Sequence, residues 1–379
     1  MSTPSGWKRV APIAMVMAVV AAGTNIPVPL LLIYQEQLDL SSTQTVGLFG
    51  VYAAGLVPAV LGAGPLADRI GRRAVALGAV VVAAAVSIAY PLAADSVELL
   101  FVVRCLQGAS AGAVFTVSTT WLLEMSGEHT ERGARVAAVT MTAGFASGSL
   151  VGGVLGQWFP RPLVLVYVVH AVALVVALAW ATRVPETMHR RSTNHVGSTI
   201  LKPGSRRTAL LVVAPAALFV FGFPATAISA LPVLLGLPIV PVAATGLLAS
   251  VTLGSGAVAA PWQRQLGDRA VPTAALLGAG GMTLAALAAA LPWGALLMFP
   301  AAVALGAGGG LALSGGLARL PAIGMPDHRA TVAAGFYATA YLGFAIPVLM
   351  SWASALVPIS ALLAILALLC LLVWRQQRA

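Results

Sequence analysis

The sequence predicts an all-α integral membrane protein of twelve transmembrane helices, arranged as two pseudo-symmetric six-helix bundles. Three observations carry this. Of 379 residues, 59% are hydrophobic and only 8% charged, against about a quarter charged in soluble domains, so lipid is the solvent for most of the surface. Twelve apolar runs reach the roughly 20 residues that a helix needs to cross a bilayer. A short charged pattern recurs half-way along the chain: Leu66, Asp68 and Arg69 follow the second run, and Leu266, Asp268 and Arg269 follow the eighth, an offset of 200.

In order, the runs cover residues 10–34, 45–66, 75–94, 97–123, 136–158 and 163–182, then 208–231, 239–262, 271–291, 294–317, 330–352 and 356–374. Pro, Gly or charge bounds each one. They are about twice the length of a barrel strand and lack its period of two, so they read as helices. The first follows Lys8 and Arg9, as the core of a signal peptide would, but it is span-length and eleven more follow. An uncleaved first helix is expected. The connection 184–207 is polar and basic, and it reads as a cytoplasmic linker between domains 1–183 and 208–379.

The formal charge of +10 reports topology. An even number of crossings puts both termini on one side, and placing that side in the cytoplasm collects 19 of the 21 basic residues, leaving out Arg161 and Arg104. Glu36, Asp39, Asp95 and Glu98 mark the outer loops. The expected setting is the inner membrane of the cell, with the lipid bilayer as partner and no nucleic acid. Cys105 and Cys370 both lie in apolar runs, which excludes a disulfide framework and metal-ligand spacing. Neither a metal nor another cofactor is expected.

Gly64-Pro65-Leu66-Ala67-Asp68-Arg69-Ile70-Gly71-Arg72-Arg73 forms the turn between spans 2 and 3. Glycine permits a tight reversal, Asp68 suits the free N–H groups of a helix start, and the arginines can tie helix ends through charge-assisted bonds. The segment resembles the G-x-L-A-D-R-x-G-R-R signature of the major facilitator superfamily. That resemblance implies a fold of two rocking halves with a substrate site near the midplane. It also implies that Arg72 pairs with Glu124 at the inner end of the fourth helix. Gly64, Asp68, Arg69, Gly71, Arg72 and Glu124 are then conformational-switch residues. Asp268 and Arg269 form a second copy, weaker because Arg264 replaces the glycine.

Span 4 contains Arg104-Cys105-Leu106-Gln107-Gly108-Ala109-Ser110-Ala111-Gly112, similar to the family's R-x-x-Q-G-x-x-x-G. Arg104 is the one charge well inside a span, where burial without a partner costs about 3 kcal/mol or more; the alternative is that it snorkels outward. Gln107 lies one turn deeper. Asn25 reaches comparable depth beside Pro27 and Pro29, whose missing N–H groups free backbone carbonyls, so Asn25 and Arg104 are expected to share a cavity. In span 5, Gly144, Gly148, Gly152 and Gly156 form a stripe, and Gly246, Ser250 and Gly254 form another in span 8. These suit close helix packing. In the superfamily helices 5 and 8 meet, which implies a sliding seam. Gly144 to Gly153 also resembles the G-x-x-x-G-P-x-x-G-G signature of the twelve-span drug:proton antiporters, with Ser149 at the proline.

Phe219, Phe223, Tyr337 and Tyr341 fall at helical spacing and suit either a cavity wall for a ring-bearing substrate or ordinary packing. Gly306 to Gly310 lacks the Lys-Ser or Lys-Thr of a phosphate loop. All eleven acids lie in loops or at span ends, which leaves His170 as the candidate proton relay beside the plainer reading of a neutral, hydrogen-bonded histidine. A cavity with one arginine and no carboxylate favours neutral or anionic cargo. The reading is a monomeric secondary active transporter working by alternating access. It exports a small amphipathic neutral or anionic compound, with protons as the candidate driving ion; the direction rests on the resemblance. The alternative is an importer or facilitator of a small polar solute. A membrane-embedded enzyme would need a catalytic constellation, and a sensor an output domain; the sequence offers neither.

Overall fold

The computed structural model describes residues 4–127, 130–187, 201–236, 241–325 and 329–378. Among them, eleven stretches are long and apolar enough to cross a membrane. One of these, Pro241–Ala290, runs for 50 residues and holds two long helices, Pro241–Ala259 and Ala270–Ala290. Counting both gives the twelve predicted crossings. The chain forms two compact units: Met1–Ser192 with Val242–Leu247, and Thr193–Pro241 with Leu248–Ala379.

The first unit comprises α1 (Pro4–Asn25), α2 (Pro27–Gln37), α3 (Ser42–Ile70), α4 (Arg72–Leu92), α5 (Val97–Met125), α6 (Thr130–Trp158) and α7 (Pro162–Ala181). The first predicted span is thus two helices, broken at Ile26 because Pro27 and Pro29 offer no N–H to the preceding turn. A capping box opens α3: Ser41 Oγ accepts from Gln44 N at 3.2 Å and Gln44 Oε1 accepts from Ser41 N at 3.0 Å. Ser96 caps α5 through Leu99 N. Ile13, Met17, Val117, Trp121 and Leu122 form part of the apolar core. Helices α3 and α5 touch at backbone distance, because a Cβ on Gly55 would strike the Cys105 carbonyl and one on Gly108 the Tyr52 carbonyl.

The second unit opens with a single interrupted span: α8 (Arg206–Thr208), a π-helical turn Ala209–Val213, α9 (Ala214–Ala225), a second π turn Thr226–Ala230, and α10 (Leu231–Leu235). There follow α11 (Pro241–Ala259), α12 (Gln263–Leu266), α13 (Ala270–Ala290), α14 (Met298–Ile323), α15 (Arg329–Leu342), α16 (Ala345–Ala353) and α17 (Ile359–Arg378). The predicted span 330–352 is therefore divided at Gly343. In this unit Gly256 faces the backbone of Gly306 and Gly310 as Gly55 faces α5. The internal echo of about 200 residues, first seen in the charged turns, extends to helix packing.

Within the predicted linker, residues 188–200 lie outside the described residues. Its two ends are docked: Pro185 to Thr187 on the first unit, and Leu201 and Lys202 on Gly324 and Ile323 of the second.

Candidate functional site

At the Gly71 end of the first unit, the ionic groups form one connected cluster. Gly71 has φ 104°, a backbone conformation that disfavours any side chain, and a Cβ there would also strike the Glu186 carboxylate. That carboxylate seals the start of α4: its two oxygens accept from Arg72 N and Arg73 N, each at 2.9 Å. This satisfies orphan N–H groups at the positive end of the helix dipole. The Arg72 guanidinium turns back to Asp68 at 2.6 Å, to the Ala67 carbonyl at 3.0 Å and to Glu124 at 3.3 Å. Thr187 Oγ1 donates to the other Glu124 oxygen. Arg72 is buried, whereas Asp68 is largely exposed. Gly64 and Arg69 lie on α3 nearby, and Arg69 makes no ion pair among the described residues.

Deeper in the unit lies a polar network with no ion pair. Arg104 is 2% exposed, so it does not snorkel outward. Its Nη1 donates to Thr24 O at 2.8 Å and to Gln107 Oε1, and its Nε donates to Leu48 O at 3.2 Å. The guanidinium also lies 5.0 Å from the Tyr52 ring centre, a cation–π distance. Gln107 Nε2 donates to Gly23 O at 2.8 Å, the carbonyl that Pro27 deprives of a helical donor. Tyr90 OH donates to Gln107 Oε1 at 2.8 Å, and the Tyr90 ring stacks on Tyr167 at 4.3 Å. Tyr34 OH donates in turn to Tyr167 OH. Asn25 is buried beside Thr24 and makes no side-chain hydrogen bond with another described residue.

One turn from Tyr167, His170 has a partner on each nitrogen: Ser87 Oγ at 2.8 Å on Nδ1 and Val19 O at 2.9 Å on Nε2. Nε2 must donate, because Val19 O can only accept. Ser87 Oγ also lies 2.9 Å from Ala83 O, so the hydroxyl can point its hydrogen either at Nδ1 or at that carbonyl. The pocket can therefore hydrogen-bond the ring in either its neutral or its charged form.

The second unit carries the aromatic candidates. Phe223 is 2% exposed and fills the space over Gly278 and Gly308, which makes it a packing residue and no cavity wall. Phe219 stacks on it at 4.4 Å. Tyr341 stacks on Phe221 at 5.0 Å, as does Phe344, and Tyr337 meets Phe336 edge-on. The second charged turn is looser than the first. Asp268 pairs with Arg319 of α14 at 3.2 Å with its carboxylate 90% exposed, and Arg269 makes no ion pair among the described residues.

The glycine stripe of α6 corrects an expectation. Gly144, Gly148 and Gly152 approach the carbonyls of Ala18, Ala22 and Ile26, and Gly156 meets Leu30 and Val242. The stripe thus packs mainly on α1 and α2. Successive helical residues are turned by about 100°, and it is the neighbouring line of Ser149 and Gly153 that meets Gly246, within the segment Val242–Leu247 of the first unit. Gln157 continues that line and accepts from Val242 N at 3.1 Å. Gly254 has open space where a Cβ would stand.

The model of the family described as Major Facilitator Superfamily matches residues 13–347 of the chain. The chain belongs to that superfamily. It is 39% identical over 99 residues to the 4-hydroxybenzoate transporter PcaK of Pseudomonas putida, 26% of this chain and 21% of the relative. With the gallate transporter of Pseudomonas putida it is 38% identical over 111 residues, 28% and 24% of the two chains. With the multidrug resistance protein MdtL of Shewanella sp. (strain ANA-3) it is 36% identical over 83 residues, 22% and 21%. The matches span less than a quarter of the length of each relative. Among solved structures, a POT family transporter in complex with a thioalcohol-conjugated peptide shares the fold at TM-score 0.77, 13% identity and coverage of 97% and 94%. A bacterial homologue of the human lysosomal transporter Spinster does so at 0.72, 16%, and 94% and 84%. The protein is a multi-pass membrane protein of the major facilitator fold.

Within that superfamily frame, sequence reasoning missed four residues. Glu186 and Thr187 read in the sequence only as part of the linker 184–207; an acid just beyond a span is a capping signal, but the helix it caps is not legible there. Arg319 gives no signal in the sequence beyond a positive charge near the end of a span. Phe221 was passed over because spacing of four picks out Phe219 and Phe223 on another face.

Proposed function

We propose that the protein exports a small amphipathic compound, neutral or anionic, by alternating access, and that it is a monomer in the inner membrane with both termini cytoplasmic. The carrying observation is Arg104, a buried guanidinium held by carbonyls, Gln107 and Tyr52 with no carboxylate against it. An uncompensated positive charge in a low-dielectric interior attracts anions and repels organic cations. The likeness to transporters named for 4-hydroxybenzoate and gallate supports the anionic class, and the likeness to a multidrug resistance protein supports export of amphipathic cargo. Asn25, Gln107, Tyr337 and Tyr341 complete the proposed binding set. The cluster of Asp68, Arg72 and Glu124 is the proposed switch, and His170 the proposed proton relay, because hydrogen-bond partners stand at both of its nitrogens.

The test is counterflow and net flux in proteoliposomes of known orientation, with amphipathic acids, neutral analogues and permanent cations, each with and without an imposed pH gradient. Gradient-driven movement of acids from the cytoplasmic to the outer side is expected. Strong transport of permanent cations with none of acids contradicts the charge class, and substrate-driven uptake in whole cells favours the importer.

A further inference from the structure

Gly222 on α9 and Gly343, between α15 and α16, lie backbone to backbone: a Cβ on Gly343 would strike Gly222 N and Leu218 O. The break at Gly343 is tight, with Gly343 N donating to Ala340 O at 2.9 Å and Phe344 N to Tyr341 O at 3.1 Å, each three residues back. This approach sets the flanking rings face to face, Phe221 parallel to Tyr341 within 8° and to Phe344 within 22°. Immediately beyond, the π turn Thr226–Ala230 marks a second departure from regular helix, and such turns gather at functional sites. One turn before Tyr341 on α15 stands Tyr337.

The two phenol hydroxyls are the unusual part. A phenol inside an apolar span ordinarily finds a partner, as Tyr34 and Tyr90 do here. Tyr337 and Tyr341 meet none among the described residues, and neither oxygen is sealed off from outside contact. Both rings are half-buried in a span. No Asp or Glu lies in any predicted span of this half, so the surroundings do not compensate a cationic ligand.

We propose that Tyr337, Tyr341 and Phe221 form a recognition face for one ligand class, a planar aromatic carboxylate, whose ring extends the stack that Phe221 makes with Tyr341 and Phe344 while its oxygens accept from the two phenols. This rests on reading the chain as a carrier of amphipathic anions and narrows that cargo to flat rings. Offset stacking needs a planar partner, and an acceptor displaced from water loses affinity when a buried donor is removed.

The experiment measures binding of benzoate, 4-hydroxybenzoate and cyclohexanecarboxylate to the full-length protein in nanodiscs by titration calorimetry. The wild type is expected to bind benzoate about tenfold more tightly than cyclohexanecarboxylate, which has the same charge on a puckered ring. The double variant Tyr337→Phe with Tyr341→Phe keeps the rings and is expected to lose about tenfold for both aromatic acids, with an unchanged melting temperature. Phe221→Leu is expected to abolish the preference for the flat ring. Equal affinity for benzoate and cyclohexanecarboxylate in the wild type, or unchanged aromatic-acid affinities in the double variant, overturns the proposal. Should Phe221→Leu fail to fold, the tyrosine variant alone decides. A wild type that binds flat acids but moves no solute in proteoliposomes counts against transport while supporting this face. One that transports amphipathic anions with no regard for planarity supports transport and overturns the face.

Discussion

Gln107 Nε2 lies 2.8 Å from the carbonyl oxygen of Gly23, and that oxygen has no helical donor because the residue four positions on is Pro27. The proline breaks the first span, and the glutamine of α5 repairs the break while its own Oε1 takes bonds from Arg104 and Tyr90. One side chain thus ties the bend of α1 to the buried guanidinium. Gln107→Leu, similar in size but without polar atoms, strands three groups in an apolar interior. A loss of about 1–3 kcal/mol per stranded group is the general scale. The melting temperature of the purified protein should fall, and transport should fall with it, whereas Gln107→Glu, which keeps an acceptor for Arg104, should lose less.

The Gly71 end yields a separate prediction. Glu186→Ala removes the carboxylate that accepts from Arg72 N and Arg73 N, at a cost of about 0.5–2 kcal/mol on the scale of helix caps. Labelling of a cysteine introduced beside Gly71 should accelerate, and Glu186→Asp should restore part of the protection. Asp268→Asn at the exposed second turn should change stability little, because surface ion pairs contribute about 0–1 kcal/mol.

Glycines predict opposite signs at two positions of similar appearance. A Cβ at Gly148 would meet the backbone of Ala22, and one at Gly254 would meet nothing within 4 Å. In open space, glycine to alanine in a helix gains about 0.5–1 kcal/mol. Gly254→Ala should therefore raise the melting temperature slightly and Gly148→Ala lower it. Equal effects would show that the stripe does not pack as described.

How much of this was legible beforehand differs by residue. Span positions follow from hydrophobic length and the charged turn from a local motif, whereas the meeting of Arg72 with Glu124, 52 residues apart, was implied only by the resemblance to the superfamily. The polar network was half legible: the sequence exposes Pro27 and Gln107 separately, but the hydrogen bond joining them depends on how α1 and α5 cross. The glycine stripe told of close packing without naming the partner, since a stripe has no direction until a neighbour is placed. Phe221 was hidden for a related reason. Helical spacing selects Phe219 with Phe223 and Tyr337 with Tyr341, but it cannot tell that Phe221, on another side of α9, is the ring that Tyr341 and Phe344 meet.

The His170 pocket separates proton relay from packing. His170→Ala should remove stimulation of transport by an imposed pH gradient while leaving counterflow intact, and Ser87→Ala, which deletes the hydroxyl facing Nδ1, should weaken that stimulation. Undiminished stimulation in His170→Ala assigns the ring to packing alone.

Alternating access is tested most directly by reactivity of one cavity position from each face of the membrane. With Cys105 and Cys370 replaced by serine and Asn25 by cysteine, an impermeant maleimide applied to right-side-out or inside-out vesicles should modify the protein from a single face under a given condition. Bound cargo should shift the preference toward the other face. Modification from both faces at once in one condition, or from neither in any condition, would contradict a carrier that opens to one side at a time.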